Sequence, residues 1–226
     1  VARPKKTGGS TDTRERLLDE AERLFASGGI EATSVRDIVG AARANLGAIT
    51  YHFGTKQALV RAVIDRRALP LNRERLRQLD AADARSGSPA ALEAILRAFV
   101  SPTIQLARES PAFMQVMARL HAEPGARRMP SYAKELFRRF MKAFRRELPH
   151  LPPREIVLRG LFVAGAVAHS WTTSHKLGAL PEGLRAAYEH DDLVEALVRF
   201  SAAGMRAPLL APRAARRSRV RESQRS

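Results

Sequence analysis

Apolar positions recur with the helical period along almost the whole chain. Leu17, Ala21, Leu24 and Phe25 fall at i, i+4, i+7 and i+8, one face of a helix. Gly28-Gly29 follow, and glycine readily takes the left-handed turn that ends a helix. Thr33 or Ser34 then caps a short second helix carrying Val35, Ile38, Val39 and Ala42 on one side. Ser34 and Asp37 have capping-box spacing, with Asp in place of Glu or Gln. After a break at 42–44, a third short helix is predicted from about Asn45 to Tyr51. Thr55 caps a fourth with Ala58, Leu59, Ala62 and Val63 inward, and Pro70 predicts a bend or a new turn within it. The stretch Ala81 to Pro89, with its Ser-Gly-Ser, reads as an inter-domain loop. Five more helices are predicted over 90–108, 111–122, 131–148, 153–177 and 190–206, punctuated by prolines. No segment shows β-branched alternation between turn clusters, so the expected fold is all-α.

Composition narrows this further. Hydrophobic residues make up 45% and charged residues 27%, an ordinary globular balance. The longest apolar run, Leu161 to Ala168, has eight residues, too few to span a bilayer. The basic N-terminus has no apolar stretch behind it and does not read as a secretory signal. Cysteine is absent, which excludes disulfides, thiolate zinc sites and cysteine nucleophiles and fits a reducing, bacterial cytoplasm. The net charge of +16 points to a polyanionic partner. Residues 206–226 alone hold 7 basic and 1 acidic side chains. The expected organisation is a basic disordered arm over 1–11, a first domain over 12–55 and a linking helix over 56–80. A second domain over 81–206 and a basic disordered tail over 207–226 complete it.

Two short helices with apolar inner faces and a three-residue turn make a helix-turn-helix. Val35, Ile38, Ala42, Ala48 and Ile49 pack together and onto Leu24 and Phe25 in this reading. Asn45, Leu46, Gly47, Thr50 and Tyr51 are then left on the outer side of the third helix, available to a major groove.

Residues 13–64 resemble the N-terminal domain of the tetracycline-repressor-like (TetR) family. The likeness is carried by Thr13-Arg-Glu-Arg-Leu-Leu, Ala21 through Phe25, Glu31-Ala-Thr-Ser-Val-Arg-Asp-Ile and Gly47 through Phe53 with Lys56. The resemblance implies that Thr33 and Ser34 present helix N–H groups to phosphate, and that Tyr51, His52 and Lys56 add phosphate contacts. It implies base-edge contacts from Asn45, Gly47 and Thr50, and an apolar thymine contact from Leu46. The family usually has Gly-Val at the turn, where this chain has Arg43-Ala44. Either a positive φ falls on Arg43 or the turn is rearranged, and Arg43 is a further phosphate candidate.

Residues 131–206 weakly resemble the fatty-acid-responsive members of that family, through Phe137-Arg-Arg-Phe-Met141, Leu151-Pro-Pro153, Gly165-Ala166 and Ala202 to Ala207. The candidate effector pocket is Phe99, Phe113, Met114, Met117, Phe137, Met141, Phe144, Phe162 and Trp171, soft and adaptable side chains suited to a long apolar ligand. Arg139, Arg159, His121 and His169 are the candidates to meet its carboxylate or phosphate. Gly160, Ala164 and Ala168 form a small-residue stripe that admits another helix, and Leu193, Ala196, Leu197 and Phe200 share a face of the last helix. Two such helices from each subunit predict an intersubunit four-helix bundle.

The expected function is a dimeric transcriptional regulator, a repressor released from a palindromic operator by a small hydrophobic effector. A fatty acid or its coenzyme A ester is the first choice, and a drug- or aromatic-compound-sensing repressor of an efflux operon the alternative. The expected partners are double-stranded operator DNA, a second copy of the chain and the effector, with no cofactor, metal or membrane. An enzyme is the remote alternative, because the chain has no His-Glu-x-x-His pair, no Gly-x-Ser-x-Gly elbow and no phosphate-cradling glycine loop. A sequence-blind DNA-coating protein has only the net charge in its favour.

Overall fold

The structure is a computed structural model that describes residues 8–84, 86–122, 131–177 and 190–209. The described residues are helical and contain no strand. Four helices lead the chain: α1 (Gly8–Gly28), α2 (Val35–Ala41), α3 (Gly47–Phe53) and α4 (Lys56–Asp83). Five follow: α5 (Ala91–Glu109), α6 (Pro111–Ala122), α7 (Ser131–Glu147), α8 (Pro153–Leu177) and α9 (His190–Arg206).

The helix stops have local causes. Gly29 takes a φ of +87° and its N–H donates to the Phe25 carbonyl at 3.0 Å, which closes α1. Thr55 opens α4, its hydroxyl accepting from the Ala58 N–H at 3.1 Å. Helix α4 then runs through Pro70 as one element, since a single proline removes one backbone rung and the flanking turns remain packed.

Two cores result. Leu17, Leu18, Ala21 and Phe25 of α1 meet Ile38, Val39, Ile49, Leu59 and Val63 in the first. The second unites the C-terminal half of α4 with α5, α7, α8 and α9. Helix α6 bridges the two. Its Val116 is fully buried in the first core, although α6 lies in the second half of the chain. Arg119 adds a polar tie, donating through Nε to the Ala26 carbonyl at 3.0 Å and through Nη2 to Ser27 at 2.9 Å. These are carbonyls of the last turn of α1, which have no partner inside their own helix.

Several sequence boundaries move. Helix α1 begins at Gly8, inside the stretch expected to be an arm. Helix α4 ends at Asp83 rather than 80, because Leu79 and Ala82 are buried in the second core and hold its last turns. Helix α3 spans Gly47–Phe53, two residues later than predicted at both ends, with Gly54 at a φ of +78° closing it. Residues 1–7 and 210–226, most of the two expected arms, lie outside the described residues.

Candidate nucleic-acid interface

Helices α2 and α3 are held against α1 and α4 by their apolar sides, and this fixes what they show outward. Ile38, Val39, Ala42, Ala48 and Ile49 are buried. Asn45, Leu46, Gly47, Thr50 and Tyr51 are all exposed, on α3 and the residues leading into it. Leu46 is 55% and Tyr51 78% exposed, unusual for side chains of their size without a partner surface. The Tyr51 ring stands edge-on to His52, with centroids 4.8 Å apart, and His52 is half-buried. Lys56 opens α4 beside them, its Nζ donating to the Glu31 carbonyl at 3.4 Å.

The turn carries the strain that its sequence permits. Arg43 takes a φ of +50°, the only non-glycine with positive φ among the described residues. Its N–H donates to the Gly40 carbonyl at 3.2 Å and the Ala44 N–H to Val39 at 2.9 Å, so the turn closes in spite of the arginine Cβ. The Arg43 side chain is exposed. Behind the turn, Arg16 of α1 donates to the Ala42 carbonyl at 3.3 Å.

The capping box at α2 is complete. The Ser34 hydroxyl accepts from the Asp37 N–H at 3.1 Å, while the Asp37 carboxylate accepts from the Ser34 N–H at 2.9 Å and its hydroxyl at 2.7 Å. The Ser34 side-chain and backbone hydrogen bonds hold the Asp37 carboxyl below the usual carboxylate range. The Thr33 side chain is turned inward, which leaves only its backbone N–H for the expected phosphate contact. It is buried, and its hydroxyl donates to the Gly29 carbonyl at 2.7 Å and to Leu24 at 3.3 Å, tying the end of α1 to the start of α2. Arg36, which sequence reading passed over, is exposed on the same helix next to Asp37 and has no ion pair among the described residues. Its signal was its position: first turn of the helix that precedes the turn, on the polar side.

The second domain rearranges the predicted pocket. Phe99 and Phe140 meet edge-to-face at 5.7 Å, and Phe140 continues to Phe144 at 6.2 Å. Phe113 and Met114 are buried, and Met117 and Met141 are half-buried. Phe137 is 46% exposed, because the buried stripe of α7 runs through Leu136, Phe140, Ala143 and Phe144 and leaves it one position off. Phe162 is 65% exposed and lies on the outer face of α8 with Leu158 and Leu161, so it does not line an interior pocket. His169 is exposed, and the side chains of His121 and Trp171 lie outside those described. Arg139 pairs with Asp80. Arg159 donates to the Met205 and Ala207 carbonyls at 2.8 and 2.6 Å, capping the end of α9. Both guanidiniums are therefore engaged by partners within the chain.

The predicted interface residues also divide. Leu197 is buried in the second core, since the inward stripe of α9 is Val194, Leu197, Val198, Ala202 and Met205. Leu193 is half-buried against the same core. Phe200 is 71% exposed. Gly160 and Ala164 are half-buried and Ala168 is exposed. A Cβ built on Gly160 meets nothing within 4 Å, so among the described residues no helix crosses closely there.

Among the described residues no helix is long and apolar enough to cross a membrane, and no His, Asp and Glu cluster suits a metal ion. The fold and the exposed α3 face define a helix-turn-helix transcriptional regulator. Residues 17–63 match the family described as bacterial regulatory proteins, tetR family, and residues 97–204 match the tetracyclin repressor-like C-terminal domain. The chain belongs to the TetR family of transcriptional regulators, with an N-terminal DNA-binding domain, and is not an enzyme.

Similar curated proteins include the HTH-type transcriptional repressor Rv3405c of Mycobacterium tuberculosis, 41% identical over 71 residues, covering 31% of this chain and 38% of that one. The HTH-type transcriptional regulator TtgR of Pseudomonas putida is 39% identical over 54 residues, covering 24% of this chain and 26% of its own. The likeness thus spans well under half of these relatives. In fold, a TetR-family regulator from Bordetella parapertussis superposes with a TM-score of 0.56 at 17% identity, covering 88% of this chain and 98% of its own. A TetR-like regulator from Rhodococcus sp. RHA1 gives 0.56 at 17%, covering 92% and 100%.

Proposed function

We propose that the protein is a homodimeric repressor that reads a palindromic operator through α3 and is released by a small hydrophobic effector held in the second domain. The observation that carries the reading is the two-sidedness of α3. Ala48 and Ile49 are buried, while Asn45, Leu46, Gly47, Thr50 and Tyr51 are exposed to solvent. In this reading Asn45 and Thr50 meet base edges, Gly47 permits close approach and Leu46 meets a thymine methyl. Tyr51, His52, Lys56, Arg43 and Arg36 meet phosphates, and Ser34 orients the start of α2 through its cap.

The exposed apolar face of α8 and α9 supports the dimer. Leu158, Leu161 and Phe162 stand out from α8, and Phe200 from α9. Large apolar side chains exposed together on neighbouring helices are costly to leave in water, and a second copy covers them symmetrically. Two chains then place their α3 helices about one DNA turn apart, roughly 34–36 Å. The name of the Mycobacterium tuberculosis relative supports repression. A fatty acid or its coenzyme A ester is the effector favoured by the aromatic and methionine side chains around Phe99, Phe140 and Met141. Such a ligand acts by preferring a domain arrangement that fits adjacent grooves poorly.

The test is selection of duplex DNA from a random pool, followed by competition with random duplex. A preference of several orders of magnitude for a palindrome, with two chains per duplex, is the expected result. Equal affinity for both duplexes overturns the reading in favour of a sequence-blind coating protein.

A further inference from the structure

Arg75 of α4 is half-buried against the second domain, and its guanidinium has no carboxylate partner among the described residues. Its Nη1 donates to the Asn72 side chain at 3.2 Å and its Nη2 to the Thr103 hydroxyl at 2.6 Å. The Phe99 ring lies against the guanidinium, 4.3 Å from Cζ to the centroid. The Nε is sealed from solvent and has no hydrogen-bond partner. Other arginines of the same domain are neutralised: Arg77 by Glu74, Arg139 by Asp80, Arg146 by Asp83 and Arg206 by Glu93. No such ion pair reaches Arg75 among the described residues. Burial accordingly pushes its guanidinium down to about 10.

A partly desolvated guanidinium without a carboxylate partner is a cost that packing alone does not require. An apolar side chain of similar length would fill the same space without desolvating an ion. A guanidinium has five N–H donors in a fixed plane, and here Asn72 and Thr103 take two. The Nε N–H is left without an acceptor, and a carboxylate oxygen is an acceptor that would satisfy both it and the charge. The surroundings are otherwise aromatic, with Phe99 edge-on to Phe140 and Met141 packed on the same core. A ligand matching both features has one carboxylate and an apolar body.

We propose that Arg75 is the anion-recognising residue of the effector site, and that it takes the carboxylate of a small amphipathic acid whose apolar body lies against Phe99 and Phe140. The proposal rests on the reading of the second domain as an effector sensor and adds to it the residue and the charge class.

Calorimetric titration of the full chain, free of DNA, with dodecanoate, dodecanol, acetate and dodecanoyl coenzyme A tests this. Dodecanoate is expected to bind at least tenfold more tightly than dodecanol, with acetate too weak to measure. Arg75→Met is expected to reduce dodecanoate to the affinity of dodecanol, and Arg75→Lys to retain part of the preference. Four results overturn the proposal: no saturable binding of dodecanoate, equal binding of acid and alcohol, acetate as tight as dodecanoate, or a coenzyme A ester bound where the acid is not. Preference for the acid persisting in Arg75→Met overturns it as well. Should Arg75→Met fail to fold, the wild-type comparison and Arg75→Lys still decide. Operator binding is measured separately on the wild type. An acid bound through Arg75 that leaves the operator complex intact defeats the release mechanism and not the anion site.

Discussion

Arg119 and Ala26 lie 93 positions apart in sequence, yet the Arg119 Nε donates to the Ala26 carbonyl at 3.0 Å. This joins α6, a helix of the second domain, to the end of the first helix of the DNA-binding domain. Beside it, Val116 is fully buried among the residues of the first core. Arg119→Met keeps the apolar stem but leaves two carbonyls of the last turn of α1 without their donor. The expected cost is about 1 kcal/mol, or roughly 2–4 °C in the unfolding midpoint. The more telling readout is coupling. By linkage, the factor by which operator weakens effector binding equals that by which effector weakens operator binding. In Arg119→Met both factors should shrink together, with each ligand alone bound about as before. An unchanged ratio would place the coupling elsewhere.

Arg43 supplies a second prediction. A φ of +50° places its Cβ against its own carbonyl, at a cost of about 1–2 kcal/mol for an L residue. Arg43→Gly removes that cost but increases the freedom of the unfolded chain, by about 0.5–1 kcal/mol. The net expectation is a variant more stable by up to about 1 kcal/mol with weaker operator binding, and a salt dependence shallower by about one unit. Chemical denaturation and binding at several salt concentrations check the two halves. A less stable variant would show that Arg43 is not strained.

Much of this was legible in the amino-acid order, and the reasons for the rest are physical. Period and punctuation placed α5 to α9 within a residue or two of Ala91–Glu109, Pro111–Ala122, Ser131–Glu147, Pro153–Leu177 and His190–Arg206. The Ser34–Asp37 box was readable because it is a local event, whereas at Arg43 the amino-acid order left a positive φ and a rearranged turn both open, and the φ is positive. Faces were harder. One position along a helix is a rotation of about 100°, so Leu197 and Phe200 appear to share a stripe until the packing of α9 on α5 separates them. Phe162 is apolar and therefore looked internal, although it stands on an outward face. Thr33 had the composition of a cap or a phosphate ligand, and only the return of the chain from α1 to α2 buries it. Arg75 lies in the run Arg73-Glu-Arg-Leu-Arg77, where a solvated arginine is the natural expectation. Its partners on α5 are about thirty positions away.

The capping box makes the DNA-binding domain sensitive to acid. Hydrogen bonds from Ser34 lower the Asp37 carboxyl from its ordinary value. A group lowered on folding contributes stability that is fully present above its unfolded value, near 4, and lost as pH falls through the folded one. Asp37→Asn has no such titration. The stability difference between wild type and Asp37→Asn should therefore be constant at neutral pH and shrink as pH falls below about 4. Unfolding midpoints of both proteins across that range test it, and a difference independent of pH would contradict the role of the charge.

Thr50 and Lys56 should fail differently. Lys56 sits at the start of α4 with its Nζ near the Glu31 carbonyl, placed for a phosphate. Lys56→Ala should weaken all duplexes alike and reduce the salt slope by about one unit, because a phosphate contact releases counterions without reading bases. Thr50 is exposed on α3. Thr50→Ala should keep the slope and relax preference at one base pair, by about 1–3 kcal/mol at most. A changed consensus with Lys56→Ala, at an unchanged slope, would reverse the two roles.

The face shared by α8 and α9 gives the last expectation. Leu161, Phe162 and Phe200 are each more than 60% exposed, and the two helices that carry them pack against one another. If a second copy covers this face, a carboxylate placed there must be desolvated on association, at several kcal/mol per charge. Phe162→Glu and Phe200→Glu should therefore sediment near the 24.9 kDa of one chain, where the wild type sediments at twice that mass. Leu69→Glu is the control, an exposed apolar position on α4 away from this face, and should leave the assembly intact. Each monomeric variant keeps its α3 face but binds one half-site at a time. Loss of the linked second contact weakens operator binding by about 10²–10⁴-fold. Unchanged sedimentation in both variants would remove this face as the interface, whereas monomers that keep full operator affinity would show that α3 reads DNA without a dimer.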